Sequence, residues 1–84
     1  KFLASLDVVA VGDDTWGVEV IPGEDPEIVF PVHQELLTKN GIYILENMKT
    51  DELVADKGWE FLFVLGQLKL KGAVQGMINP IAIR

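Results

Sequence analysis

Pro31-Val32-His33-Gln34-Glu35-Leu36-Leu37-Thr38-Lys39-Asn40-Gly41-Ile42-Tyr43-Ile44-Leu45-Glu46-Asn47 reads as helix, turn and strand. Proline is favoured as a first helical residue, because the N–H it lacks would find no partner there. The spacing predicts a helix of two to three turns from Pro31 to about Lys39. Val32, Leu36 and Leu37 make its apolar face, with His33 one turn before Leu36 and Leu37 on that side. Gln34, Glu35 and Lys39 are left for water. Asn40-Gly41 supplies the stop, glycine being the residue that most easily turns left-handed after a helix. Ile42 to Leu45 then runs four apolar residues without a polar break, the pattern of a strand buried on both faces. Glu46-Asn47 ends it.

Val8-Val9-Ala10-Val11 is a second uninterrupted apolar run, ended by the turn formers Gly12-Asp13-Asp14-Thr15. Between Trp16 and Pro31 lie Pro22-Gly23, Asp25-Pro26 and Pro31, which forbid a regular helix. A long loop is expected there, carrying one short strand at Gly17–Ile21. Downstream, Thr50 is placed to cap a helix that has Asp51 and Glu52 in its first turn, where the helix dipole favours acids. That helix closes near Lys57-Gly58. Trp59 to Leu65 reads as a third strand and runs on into the alternating Gln67-Leu68-Lys69-Leu70-Lys71. Pro80 to Arg84 reads as a last short strand with proline at its start. The order is helix end, β, loop, α, β, α, β, β, an α/β pattern with a mixed sheet and two short helices. No domain boundary is visible, so residues 1–84 read as a single segment. Phe2, Leu3 and Leu6 stand at helical spacing behind Lys1, which reads as the tail of a helix continuing from upstream.

Composition narrows the function classes. Of 84 residues, 49% are hydrophobic and 24% charged, which excludes a disordered or collagen-like chain. A formal net charge of −6 argues against nucleic-acid and anionic-membrane partners. With no cysteine there is no disulfide scaffold, no thiolate zinc ligand and no thiol nucleophile. Apolar runs are far shorter than the ~20 residues of a membrane span, and the N-terminus lacks the form of a secretory signal. A cytoplasmic location is the expectation.

His33 is the single histidine. On an apolar helix face such a residue is most often structural. Glu46, however, falls at the carboxyl end of an apolar strand, the edge at which open α/β sheets bind ligands. The helix–turn–strand unit can bring His33 and Glu46 to one rim. An imidazole and a carboxylate are a common pair of ligands for Zn²⁺ or Mn²⁺. They are too few for a catalytic zinc, which takes three protein ligands and an open position. Other constellations fail sooner. Gly12–Gly17 lacks the lysine and the spacing of a phosphate loop, and Ser5 lies in no nucleophile elbow. Glu19, Glu24, Asp25 and Glu27 are a possible calcium cluster by composition but do not match an EF-hand loop. Trp16 and Trp59 read as core or interface anchors. Lys69 and Lys71 read as protection of a sheet edge.

Four segments, taken together, resemble one family. Val-Gly-Asp-Asp-Thr-Trp-Gly (11–17), Pro-Val-His-Gln-Glu-Leu-Leu (31–37), Gly-Ile-Tyr-Ile-Leu-Glu-Asn (41–47) and Leu-Lys-Leu-Lys-Gly-Ala (68–73) are similar, in order, to the C-terminal part of the cyclase family. These are the metal-dependent hydrolases that include bacterial kynurenine formamidase and isatin hydrolase. The resemblance implies a swivelling β/β/α-type fold, a divalent zinc or manganese ion, and hydrolysis of a formamide or cyclic amide by a water that the metal activates. It implies that His33 and Glu46 are the two late metal ligands, and that Asp14, Thr15 and Trp16 shape the substrate site. The family's leading signature, H-x-G-T-H-x-D-x-P-x-H, is absent, and with it most of the ligands and the proton-transferring histidine. The chain therefore resembles the last third of such a hydrolase domain. By itself it is expected to be inactive, with no catalytic residue of its own and no metal necessarily bound.

Two rival readings follow from the residues. One is a non-catalytic α/β module that forms a homo-oligomer through its apolar strands and offers the acidic loop to a partner. The other is a metal site completed between chains of a homo-oligomer.

Overall fold

The structure, a computed structural model, describes residues 1–84. The chain is a small mixed α/β protein with two short sheets, and its contacts fall into two compact units, Lys1–Thr50 and Asp51–Arg84. The single mixed sheet expected from sequence is replaced by two separate pairs of strands. No helix is long and apolar enough to cross a membrane.

In the first unit, a short helix α1 (Phe2–Ser5) precedes strand β1 (Ala10–Gly12). After the long loop, helix α2 (Pro31–His33) continues as a π-helical turn over Gln34–Thr38, and strand β2 (Tyr43–Leu45) follows. β1 and β2 pair in parallel, Ala10 opposite Tyr43 and Gly12 opposite Leu45. Parallel strands need a long crossover, and here the loop and α2 supply it. Leu36, Ile42 and Leu45 form the buried core, at 3%, 3% and 7% exposure. Leu37, expected on the same face, is exposed instead. The π turn accounts for this: its i→i−5 bonding adds about one residue per turn and rotates the face. The Asn40 amide donates to the Glu35 carbonyl at 2.6 Å, drawing the end of that turn together.

Gly41 has φ +66°, the left-handed stop that its sequence context predicts. Its N–H donates to the Leu37 carbonyl at 3.0 Å, and that of Ile42 to the Leu36 carbonyl at 2.9 Å. Helix and strand are thus joined within two residues. No strand forms at Gly17–Ile21, because the Val18 N–H goes to a side chain, the Glu46 carboxylate at 3.1 Å, rather than to a neighbouring ladder.

The second unit holds α3 (Asp51–Ala55), β3 (Leu62–Gln67) and β4 (Ile78–Ile83). Asp51 and Glu52 occupy the first turn of α3, as expected. The helix closes with the Gly58 N–H on the Leu53 carbonyl and that of Lys57 on the Val54 carbonyl, a Schellman pattern. Lys57, and not Gly58, takes the left-handed position, at φ 52°. β3 and β4 are antiparallel, Leu62 opposite Ile83 and Gln67 opposite Ile78. β3 starts later than Trp59 and stops at Gln67, so the alternating Leu68–Lys71 leaves the ladder. Pro80 lies inside β4, opposite Leu65, rather than at its start. Each strand of a two-stranded ribbon has an open edge, and proline is tolerated there. Arg84 forms an ion pair with Asp56.

A Cβ at Gly41 meets open space, so substitution there costs only backbone strain. Gly41→Ala is expected to lower stability by about 1–2 kcal/mol. Gly23→Ala, whose Cβ would make only ordinary contacts, serves as the control and should stay within about 0.5 kcal/mol of the parent. Urea-denaturation midpoints read by circular dichroism distinguish the two.

Candidate functional site

The parallel ladder continues beyond the ends of β1 and β2. The Asp13 N–H donates to the Leu45 carbonyl, that of Asn47 to the Thr15 carbonyl and that of Met48 to the Asp13 carbonyl, each at 2.9 Å. These bonds fix residues 45–48 against residues 13–15 and hold Glu46 at the carboxyl edge of the sheet. Its carboxylate accepts the Val18 N–H through Oε1. Gly17 packs beside it, at a distance where a Cβ would touch the same oxygen in ordinary van der Waals contact, 3.4 Å.

His33 reaches this rim from the end of α2. Its Nε2 stands 3.7 Å from Glu46 Oε1, too long for a hydrogen bond but within the range of an ion pair. The other ring nitrogen, Nδ1, is 2.9 Å from Glu19 Oε1. Glu19 also caps the helix: the Val32 N–H donates to Oε2 at 3.1 Å and the His33 N–H to Oε1 at 2.7 Å. The Glu19 side chain is only 4% exposed, against 38% for His33 and 30% for Glu46. Burial by itself pushes the Glu19 carboxyl up. The hydrogen bonds from the His33 N–H, the His33 ring and the Val32 N–H outweigh it, and the net shift is downward. Glu19 is therefore held as the anion. Phe30, next to the helix, is left-handed at φ 50° and sets its ring 5.8 Å from that of His33, tilted by 55°.

The other residues tied to the site by sequence make contacts of their own. Asp14 turns to Thr50, accepting its hydroxyl at 2.8 Å and its N–H at 3.4 Å through Oδ2. Thr15 donates its hydroxyl to the Gly17 carbonyl at 3.1 Å, closing the turn that leads to Val18 and Glu19. Trp16 is exposed. An apolar cleft lies elsewhere, lined by Phe2, Leu3, Pro31, Val32 and Leu36. With so few converging polar groups it offers less chemistry than the His33–Glu46 rim.

The sequence pattern pointed to His33 and Glu46 but grouped Glu19 with the loop carboxylates. No local signal marked it: an acid between Val18 and Val20 reads as the wet position of an alternating segment, whereas Val20 is exposed and the Glu19 side chain is buried.

The pair fits the edge of a divalent-ion site. Two ligand atoms at about 2.0–2.1 Å from one tetrahedral zinc are about 3.4 Å apart, close to the 3.7 Å between Nε2 and Oε1. No group of three histidine or acidic side chains converges in a way that would hold an ion. The chain thus offers two candidate ligands and not a complete coordination sphere. Compared with protein-family models, with curated proteins and with solved structures, the chain matches none.

Glu19→Ala removes an anion that caps α2 and leaves two backbone N–H groups unpaired. It is expected to cost about 1–2 kcal/mol, read as a lowered urea midpoint. Glu27→Ala, on the exposed part of the same loop, should leave the midpoint within about 0.5 kcal/mol of the parent.

Proposed function

We propose that this chain is the C-terminal part of a cyclase-family, metal-dependent hydrolase that acts on C–N amide bonds, with an arylformamide as the model substrate. The observation that carries this reading is the meeting of His33 Nε2 and Glu46 Oε1 at 3.7 Å, at the carboxyl edge of a parallel strand pair. Those two residues come from the P-x-H and I-L-E segments on which the family resemblance rests. His33 and Glu46 would hold one zinc or manganese ion. When bound, a divalent ion makes water a nucleophile near neutral pH and polarises the scissile carbonyl. The chain's own residues hold the ligands in place: α2 and the left-handed Gly41 carry His33, and the Val18 N–H steadies Glu46. The remaining ligands and the proton-transferring group belong, on this reading, to the part that carries the family's leading signature.

Equilibrium dialysis of the 84-residue chain against Zn²⁺ and Mn²⁺ should show one weakly held ion, lost in His33→Ala and in Glu46→Ala. The chain alone should leave an arylformamide intact. Uptake that neither substitution affects removes the metal reading. Hydrolysis by the pure chain, abolished by His33→Ala, removes the claim that its site is incomplete.

One observation favours a second reading, a non-catalytic module that self-associates. Only Leu36, Ile42 and Leu45 are buried among the large apolar residues, while Leu62, Phe63, Val64, Ile81 and Ile83 of the β3–β4 ribbon remain exposed. Exposed apolar patches of this kind mark association surfaces. This reading expects a defined oligomer in chelator, by light scattering on a sizing column, unchanged in His33→Ala and Glu46→Ala. A monomer at all concentrations would remove it.

A further inference from the structure

Glu19 meets His33 twice, at the backbone N–H and at the ring, and only the second contact bears on chemistry. An ionised carboxylate accepts hydrogen bonds and donates none. A ring nitrogen 2.9 Å from Glu19 Oε1 must therefore carry the proton. In the neutral ring, which has one proton to place, Nε2 is left as a bare lone pair. It faces Glu46 Oε1, a second acceptor, at 3.7 Å. Two acceptors so placed repel each other unless a cation, a proton or a bridging water lies between them. Glu46 cannot withdraw freely, since the same oxygen is held by the Val18 N–H, and Glu19 and the Phe30 ring fix the imidazole from the other side.

We infer that Glu19 is a positioning residue for a divalent cation: its carboxylate fixes the Nδ1–H form of His33, so that Nε2 presents its lone pair beside Glu46 Oε1. The arrangement is carboxylate, histidine, metal, in which the outer carboxylate sets the tautomer and raises the basicity of the ligating nitrogen. The inference rests on the reading of His33 and Glu46 as ligands. It adds a residue that touches neither the metal nor the substrate, and it explains why a nearly buried acid in the long loop points at a histidine. Helix capping alone accounts for the bonds to the Val32 and His33 N–H groups but requires nothing of the ring.

The test has two readouts on the full 84-residue chain. The first is the ¹⁵N spectrum of the His33 ring without metal, at alkaline pH where the imidazole carries one proton. The expected form has the proton on Nδ1 and a bare Nε2, and Glu19→Ala should move it toward Nε2–H. Nε2–H in the parent chain overturns the inference, and this measurement needs no variant to fold. The second is zinc affinity by equilibrium dialysis. Glu19→Gln, which keeps an acceptor for the backbone and loses the charge, should weaken zinc by about 10–100-fold. Zinc lost in His33→Ala but unchanged in Glu19→Gln overturns the role of Glu19 and leaves the ligand pair standing. Zinc unaffected by His33→Ala overturns the ligand pair and, with it, this inference.

Discussion

A single anion organises the first unit. The Glu19 carboxylate, almost without exposed surface, accepts two backbone N–H groups of α2 and meets the His33 ring. A buried carboxylate without partners costs several kcal/mol. Its three contacts offset that cost and in doing so tie the long loop to the helix. The loop contains two prolines, Pro22 and Pro26, and supplies no strand, so few other bonds define its path. The hydrogen bonds of Glu19 and that between Val18 and Glu46 are what bring it over the sheet edge.

The geometry of the rim follows from two further constraints. The bonds that extend the β1–β2 ladder through Asp13, Thr15, Asn47 and Met48 keep Glu46 from moving with a free loop. On the other side, Gly41 turns left-handed and lets the Ile42 N–H reach Leu36 directly, which closes the helix onto the strand. His33 and Glu46 are thirteen residues apart in the chain yet approach within ion-pair distance, because that turn is so short. The π turn between them rotates Leu37 outward and leaves Leu36 as the anchor in the core. Phe30 contributes at a cost: a left-handed non-glycine residue is strained by about 1–2 kcal/mol, and strain of this kind collects at functional sites.

Much of this was legible from residue order. Pro31 begins a helix, Asn40-Gly41 ends it, Asp51-Glu52 opens the next, and both Val8–Val11 and Ile42–Leu45 contribute strands, because each of these signals is local. The unread parts share a non-local cause. Whether Val18 joins a ladder depends on what lies opposite, and Glu46 lies there. The extent of β3 depends on β4, whose register places Pro80 opposite Leu65 and leaves Leu68–Lys71 unpaired. Thr50 reads as a helix cap from its neighbours; that its hydroxyl donates to Asp14, 36 positions earlier, is not legible there.

The sequence by itself determined the α/β character, the apolar strands on either side of a helix, and the choice of His33 and Glu46 as the residues to watch. Those follow from backbone sterics, hydrophobic periodicity and the scarcity of histidine. Only the tertiary structure decided that the strands divide into two sheets, that Asp14 bonds to Thr50, and that Glu19 stands behind His33. A carboxylate twelve positions from α2 carries no local mark of its partner. It is selected by the helix's unpaired N–H groups and the imidazole, which exist as a binding site for it only once the chain has folded.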